Sequence, residues 1–185
     1  MTFKQVNIFQ YRYIRKQLRT SEKQELFVRN GIPILSKASS ICILCNYEND
    51  EQILDMLKAI NQYQGQIKRI RLMVYVSQKK LPPILLKSLF IQPVLKKELG
   101  YFGQFSAEAK HNIQIQDYDI FINTISKTNT MIANYISSLI KADFKITRSL
   151  EHAKLYHLTL PLDEEQSLEY YLDTIEKYTA KLNGK

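Results

Sequence analysis

Apolar runs of strand length alternate with segments of helical periodicity along this chain, and this alternation constrains the fold more than any other feature. Residues 39–45 are nearly all apolar, which is typical of a strand buried on both faces. Ile53, Leu57 and Ile60 then recur at helical spacing, and residues 70–76 form a second strand-like run. This order predicts a βαβ unit, in which the two strands are parallel and the crossover is right-handed.

The same alternation continues to the end of the chain. Further strands are predicted at 118–124, 144–147 and 156–160, with a helix on residues 131–140. A last helix is predicted after Asp163, which has the side chain of an N-cap. Prolines interrupt residues 80–105, where we expect a helical turn or an edge strand before the aromatic-glycine turn at 100–103.

The first 37 residues differ from the rest because they contain a basic helical segment. Apolar spacing favours helix over 8–29, with a capping box from Ser21 to Gln24 that restarts it and an end at Gly31 and Pro33. We therefore expect a helical extension, residues 1–37, packed on a single α/β domain, residues 38–185. The predicted fold is a three-layer Rossmann- or flavodoxin-like α/β sandwich with a mostly parallel sheet of about five strands.

These elements resemble an uncharacterised bacterial domain-of-unknown-function family of small α/β proteins. The resemblance lies in the basic N-terminal helix, the strand at 40–44, the turn at 101–103 and the segments 118–123 and 141–146. The family often has a glycine after its strand matching 144–147, where this chain has Arg148 and Ser149. The resemblance implies the fold and carries no activity with it.

Several classes of protein are disfavoured by the residues that the chain contains. No apolar run reaches the ~20 residues that span a bilayer, and the first residues lack the apolar core of a secretory signal. We therefore expect a cytoplasmic protein without a membrane contact. The two cysteines, Cys42 and Cys45, have C-x-x-C spacing but lie within a strand, so we interpret them as core residues.

Catalytic and cofactor motifs give no positive signal. The three histidines lack metal-ligand spacing, and no glycine-rich phosphate-binding motif occurs, so we expect neither a metal nor a cofactor and identify no catalytic residues. A small-ligand enzyme or sensor stays as an alternative, because ligands of open α/β sheets bind beyond the carboxyl ends of the strands. The candidate crevice residues at these positions are Asn46, Ser77, Asn123, Lys127, Thr130 and Arg148. Hydroxyl and amide side chains before the helix at 131–140 suit either an anion or simple helix capping.

The positive charge is segregated along the chain. The net charge is +8, yet residues 1–37 hold eight basic and two acidic side chains, and residues 66–97 hold eight basic and none acidic. Residues 151–185 are acidic, with seven carboxylates against four cations. The predicted polyanion-contact residues are Arg12, Arg15, Lys16, Arg19, Lys68, Arg69, Arg71, Lys79 and Lys80.

The leading hypothesis is a non-enzymatic module that contacts RNA or another acidic macromolecule through these residues. The absence of Trp and of a clustered glycine-aromatic pattern argues against a platform on which single-stranded bases stack. A third interpretation is a subunit of a larger assembly, which predicts an exposed apolar patch around residues 84–102. The sequence leaves the oligomeric state open.

Overall fold

A computed structural model describes residues 6–28, 31–163 and 166–183, and within them six strands form one parallel sheet. The strands, in chain order, are β1 Ser40–Asn46, β2 Arg69–Val76, β3 Ile91–Leu95, β4 Asp117–Asn123, β5 Lys141–Thr147 and β6 Leu158–Thr159. Their order across the sheet is β3-β2-β1-β4-β5-β6, and every neighbouring pair is parallel. The described helices are α1 Ile8–Ser21, α2 Asp50–Asn61, α3 Ala107–Gln114, α4 Thr130–Leu139 and α5 Leu168–Asn183.

The helices cover both faces of the sheet, because successive strand side chains point to opposite sides. In β1, Ile41 and Ile43 belong to the core beneath α2 and α5, whereas Leu44 belongs to the core beneath α1, α3 and α4. Cys45 and Cys42 divide in the same way, and both are buried. The three-layer α/β fold with a mostly parallel sheet is thus confirmed, and the cysteines are core residues on opposite faces.

The first helix is shorter than the sequence predicts. It ends at Ser21, and residues 22–28 form turns and irregular chain instead of a restarted helix. Ser21 does accept a hydrogen bond from the Gln24 amide, but through its backbone oxygen, which makes a turn and not a capping box. The apolar side chains of this segment are not buried, since Leu26, Phe27 and Val28 are 39%, 71% and 38% exposed. The prediction of a helix over 8–29 is therefore wrong for residues 22–28, and residue 29 lies outside the described residues.

The segment that the sequence leaves open, residues 80–105, contains both predicted elements. A 3-10 turn spans Pro83–Leu86, β3 follows as the edge strand beside β2, and a second 3-10 turn spans Lys96–Glu98. Helix α3 was not predicted, because of its eight residues only Ala109 and Ile113 are buried. Leu86 and Leu89, which belong to the apolar patch predicted around 84–102, are 71% and 96% exposed.

The last helix begins later than expected. Asp163 lies before its start and is not the N-cap, since Ser167 Oγ accepts the hydrogen bond from the Tyr170 amide at 3.2 Å. Tyr171, Leu172 and Ile175 then fill the core beneath the sheet, as their helical spacing predicts. None of the helices in the described parts of the chain has the length and apolar character needed to cross a membrane.

Candidate functional site

The exposed side of α1 carries four cations on one face of the helix. Arg12, Arg15, Lys16 and Arg19 fall within about 100° of one another on a helical wheel, and all four side chains are exposed. The 14 residues of α1 contain no carboxylate. Within residues 6–28, 31–163 and 166–183, none of the four forms an ion pair. We call these four residues the basic face.

The opposite side of α1 holds the helix firmly on the protein. Ile14 and Leu18 are fully buried and belong to the core that α4 also covers. Tyr13 contacts Tyr135 of α4 edge-on, with 6.2 Å between the ring centroids. The basic face is therefore presented by a docked helix, whose direction the core determines.

The helix begins at a capping box. The Gln10 amide donates to Asn7 Oδ1 at 2.8 Å, and the Asn7 amide donates to Gln10 Oε1 at 3.0 Å. The same two side chains hold the turn at 100–103, because Asn7 Nδ2 donates to the Tyr101 carbonyl and Gln10 Nε2 donates to the Gly100 carbonyl. The capping pair thus joins the start of α1 to the turn that follows β3.

Gly103 brings this turn against the helix. Its φ is +92°, a value that side-chain-bearing residues rarely adopt. A Cβ atom here would lie 2.9 Å from the Gln10 Cα and 3.0 Å from the Gln10 carbonyl oxygen. The turn therefore needs glycine both for its backbone conformation and for its contact with α1.

The contact assembles an exposed aromatic cluster, which we define as Phe9, Tyr101 and Phe102. The Phe9 ring centroid lies 5.4 Å from that of Tyr101 and 6.0 Å from that of Phe102. The three side chains are 42%, 63% and 65% exposed. The sequence argument against a stacking platform missed this cluster, because Phe9 and the turn are far apart along the chain.

The second predicted basic segment does not form one surface. Lys68 and Arg69 lie at the start of β2, whereas Lys79 and Lys80 follow its end, so the length of β2, about 23 Å, separates the two pairs. Arg69 lines a groove of about 700 Å³ that carboxylates of β4 also line, including Asp117 and Asp119. Arg71 points into the layer beneath α1, α3 and α4, where it lies beside Tyr118. Of the predicted polyanion-contact residues, the four of the basic face therefore share one side of a helix, whereas those of the second segment do not share one surface.

A cleft opens at the carboxyl ends of the strands where the strand order reverses, between β1 and β4. It has a volume of about 590 Å³ and lies between these strand ends, α2 and the start of α5. Asn46 and Arg148, two of the predicted crevice residues, line it. Arg148 is only 5% exposed, and its guanidinium lies 4.0 Å from the centre of the Tyr171 ring.

The other predicted crevice residues lie elsewhere. Ser77 and Lys127 are exposed, and Thr130 donates a hydrogen bond to Glu151 at 2.8 Å. Asn123 is fully buried, so its side chain serves the interior of the fold. The residues after β4 fold back over β1, since Asn46 Nδ2 donates to the Thr128 carbonyl at 3.1 Å.

A buried polar network surrounds the Tyr156 hydroxyl beneath this loop. Asn123 Nδ2 donates to it at 2.8 Å, and it lies 2.7 Å from Asn134 Oδ1 and 2.9 Å from Ser137 Oγ. Burial raises the pKa of Tyr156 to about 12, so the hydroxyl keeps its proton as a donor. The network links the end of β4 to α4, and its only sign in the sequence is one Asn in an apolar strand. Among the described residues, no cluster of His, Cys, Asp and Glu could hold a metal ion.

Comparisons with known proteins provide a family and a fold. The family described as "Family of unknown function (DUF6913)" matches residues 9–182. None of the curated proteins matches. Among solved structures, the E. coli heptosyltransferase WaaC with ADP is similar with a TM-score of 0.49 and 17% identity. That similarity covers 78% of this chain and 48% of the heptosyltransferase, so the chain spans about half of that protein's length.

Proposed function

We propose that this chain, which belongs to the DUF6913 family of unknown function, is a cytoplasmic α/β module that binds RNA through the basic face of α1. The observation that carries the proposal is the arrangement of Arg12, Arg15, Lys16 and Arg19 on one exposed side of a helix that has no carboxylate. Lysine and arginine groups that meet phosphates release condensed counterions, which drives binding.

The scaffold supports this role because the basic face cannot rotate away from its exposed position. Ile14 and Leu18 are 0% exposed on the other side of the helix. Turning α1 by half a turn would bury the cations and expose two side chains whose burial stabilises the protein by about 1.5–3 kcal/mol each. A phosphate backbone therefore meets cations already held on one side, without a folding cost on binding.

The first experiment measures RNA affinity against salt concentration. Four phosphate contacts on a single strand give a slope of about −2.8 for the logarithm of affinity against the logarithm of salt. The affinity should therefore fall about 50-fold between ~50 and ~200 mM salt. Salt-independent binding, or no binding at low salt, would refute the proposal.

A matched pair of charge reversals separates the basic face from overall charge. Arg12→Glu, Lys16→Glu and Arg19→Glu in one chain should abolish binding. The control reverses Lys68, Lys79 and Lys80, which are exposed and lie at the two ends of β2. Each triple variant lowers the net charge by the same amount, so the control should retain most of the affinity. Equal losses in both variants would show that attraction follows net charge and not α1.

A second candidate function rests on the strand-end cleft. In open α/β sheets, ligands bind outside the carboxyl ends of the strands at the point where the strand order reverses, and the 590 Å³ cleft lies there. Arg148 at its wall would pair with a carboxylate or phosphate of a small ligand, while the carboxylates that also line the cleft, Glu48, Glu51, Asp55 and Glu169, would face the uncharged or cationic part of that ligand. On this alternative, the chain is a small-ligand enzyme or sensor.

Thermal-shift screening with nucleotides, sugar phosphates and carboxylates tests this alternative. A ligand at about 100 times its dissociation constant adds about 2.7 kcal/mol to the free energy of unfolding. For a chain of this size, that raises Tm by about 5–11 °C. Arg148→Lys keeps the charge but loses the planar fork, so it should remove most of the shift. A library without any stabilising compound would count against the cleft.

A further inference from the structure

We infer that the RNA bound by the basic face is single-stranded, and that its bases stack on the aromatic cluster of Phe9, Tyr101 and Phe102. This inference rests on the proposed function of α1. It adds a substrate class, because duplex RNA offers phosphates but keeps its bases paired and stacked. It rests on the position of the exposed aromatic cluster at the start of α1, the helix that carries the basic face.

The rings are exposed although the turn that bears them is held in place. The turn is joined to α1 through two backbone carbonyls, those of Gly100 and Tyr101, and through the close approach of Gly103 to Gln10. These contacts leave the side chains of Tyr101 and Phe102 outside, 63% and 65% exposed. These contacts hold the turn through its backbone. The exposure of the Tyr101 and Phe102 rings is therefore not needed to keep the turn in place.

None of the three rings of the aromatic cluster is stacked parallel on another. Tyr101 and Phe102 are perpendicular to each other at 89°, with 5.3 Å between centroids, and Phe9 lies at 38° to Tyr101. At 63% and 65% exposure, Tyr101 and Phe102 keep part of their ring surface open to solvent, and every nucleobase can stack on an aromatic face. Rigid side chains with few torsions also lose little entropy when they do so.

The cluster continues the basic face along the helix. Phe9 lies three residues before Arg12 and seven before Lys16, which places it on the same side of α1. From Phe9 to Arg19 the helix rises about 15 Å. A single strand running along α1 thus meets aromatic rings at the start of the helix and the four cations over the two turns from Arg12 to Arg19. Bases and phosphates are then bound by adjoining parts of one surface.

The experiment compares a fluorescent oligouridylate with an RNA duplex of equal phosphate number. The wild-type chain should bind the single strand at least about 5-fold more tightly, since one stacked base contributes about 5- to 150-fold. Tyr101→Leu with Phe102→Leu should lower the affinity for oligouridylate by at least the same factor and leave the salt slope unchanged. Tyr101→Phe alone should bind oligouridylate like the wild type, because the ring and not the hydroxyl stacks.

The control replaces two other exposed tyrosines, Tyr170 and Tyr178, which are 51% and 50% exposed on α5, by leucine. This variant should bind oligouridylate like the wild type. A Tyr101→Trp variant adds a direct signal, because the chain has no tryptophan of its own and base stacking quenches indole emission. Unchanged melting temperatures show that each variant is folded.

The outcomes separate the two proposals. Equal affinity for duplex and single strand, or an unaffected leucine double variant, overturns stacking while the basic face stands if its charge reversal still abolishes binding. Absence of any salt-dependent binding by the wild type overturns both. Competition by polyglutamate as effective as that by oligouridylate would identify an acidic protein segment as the partner and overturn the single-strand inference.

Discussion

Tyr156→Phe tests whether the buried polar network holds the end of β4 to α4. The hydroxyl is the shared partner of Asn123, Asn134 and Ser137, all three of which are 0% exposed. Removing it leaves Asn123 Nδ2 and Asn134 Oδ1 without that partner, and each buried unpaired group costs about 1–3 kcal/mol. Ser137 keeps its hydrogen bond to the Ala133 carbonyl. For these two groups together, we therefore expect the free energy of unfolding to fall by about 2–6 kcal/mol.

The assay is urea unfolding followed by far-ultraviolet circular dichroism, with a thermal melt alongside. A loss of about 3 kcal/mol lowers Tm by about 6–12 °C for a chain of this length, and the urea m value should not change. Tyr178→Phe is the control, because that side chain is half exposed, and it should stay within about 0.5 kcal/mol of the wild type. Asn123→Leu combined with Tyr156→Phe should cost less than the sum of the two single changes.

The result that refutes the reasoning is a Tyr156→Phe variant with the stability of the wild type. It would mean that the amides of Asn123 and Asn134 find other partners at no cost, and that the network does not join β4 to α4. Exact additivity in the double variant would refute the coupling separately.

Three further predictions concern single groups. Burial raises the pKa of Cys42 to about 12 and raises that of Cys45 as well, so neither thiol should react with a thiol reagent at pH 8 until urea unfolds the chain; rapid labelling of the folded chain would contradict this. Gly103→Ala should destabilise the protein more than Gly65→Ala, because the two glycines have φ of +92° and +96° but only the first would place a Cβ against α1; equal urea midpoints would disprove the steric argument. Burial lowers the pKa of Lys145 from 10.5 to about 8, so the unfolded chain binds more protons between these values and the free energy of unfolding should rise as pH increases from about 8 to 9.5. Lys145→Met should remove that rise in urea titrations, and a rise that persists in the variant would assign it to another group.

The strands could be predicted because burial on both faces leaves a continuous apolar signal. Residues 41–45 contact one core or the other at every position, so no polar residue interrupts the run. Helix ends were harder to predict. Ser21 has the side chain of an N-cap but is the last residue of α1, whose N-cap is Asn7, and Asp163 precedes α5, whose first turn bonds to Ser167. A cap is defined by the backbone around it, which depends on packing that the residue type does not encode.

The candidate interface could be predicted only where it is local. Helical periodicity brings the four cations of α1 together within two turns, and this part follows from the sequence alone. The aromatic cluster depends instead on the contact of Gly103 with Gln10, which brings together residues that are far apart along the chain. Lys68 and Lys80 show the converse, because they are close along the chain yet lie beyond opposite ends of β2. Charge segregation along a sequence therefore becomes a surface only where one helix presents it, and this is why the proposal rests on α1 and not on the net charge of +8.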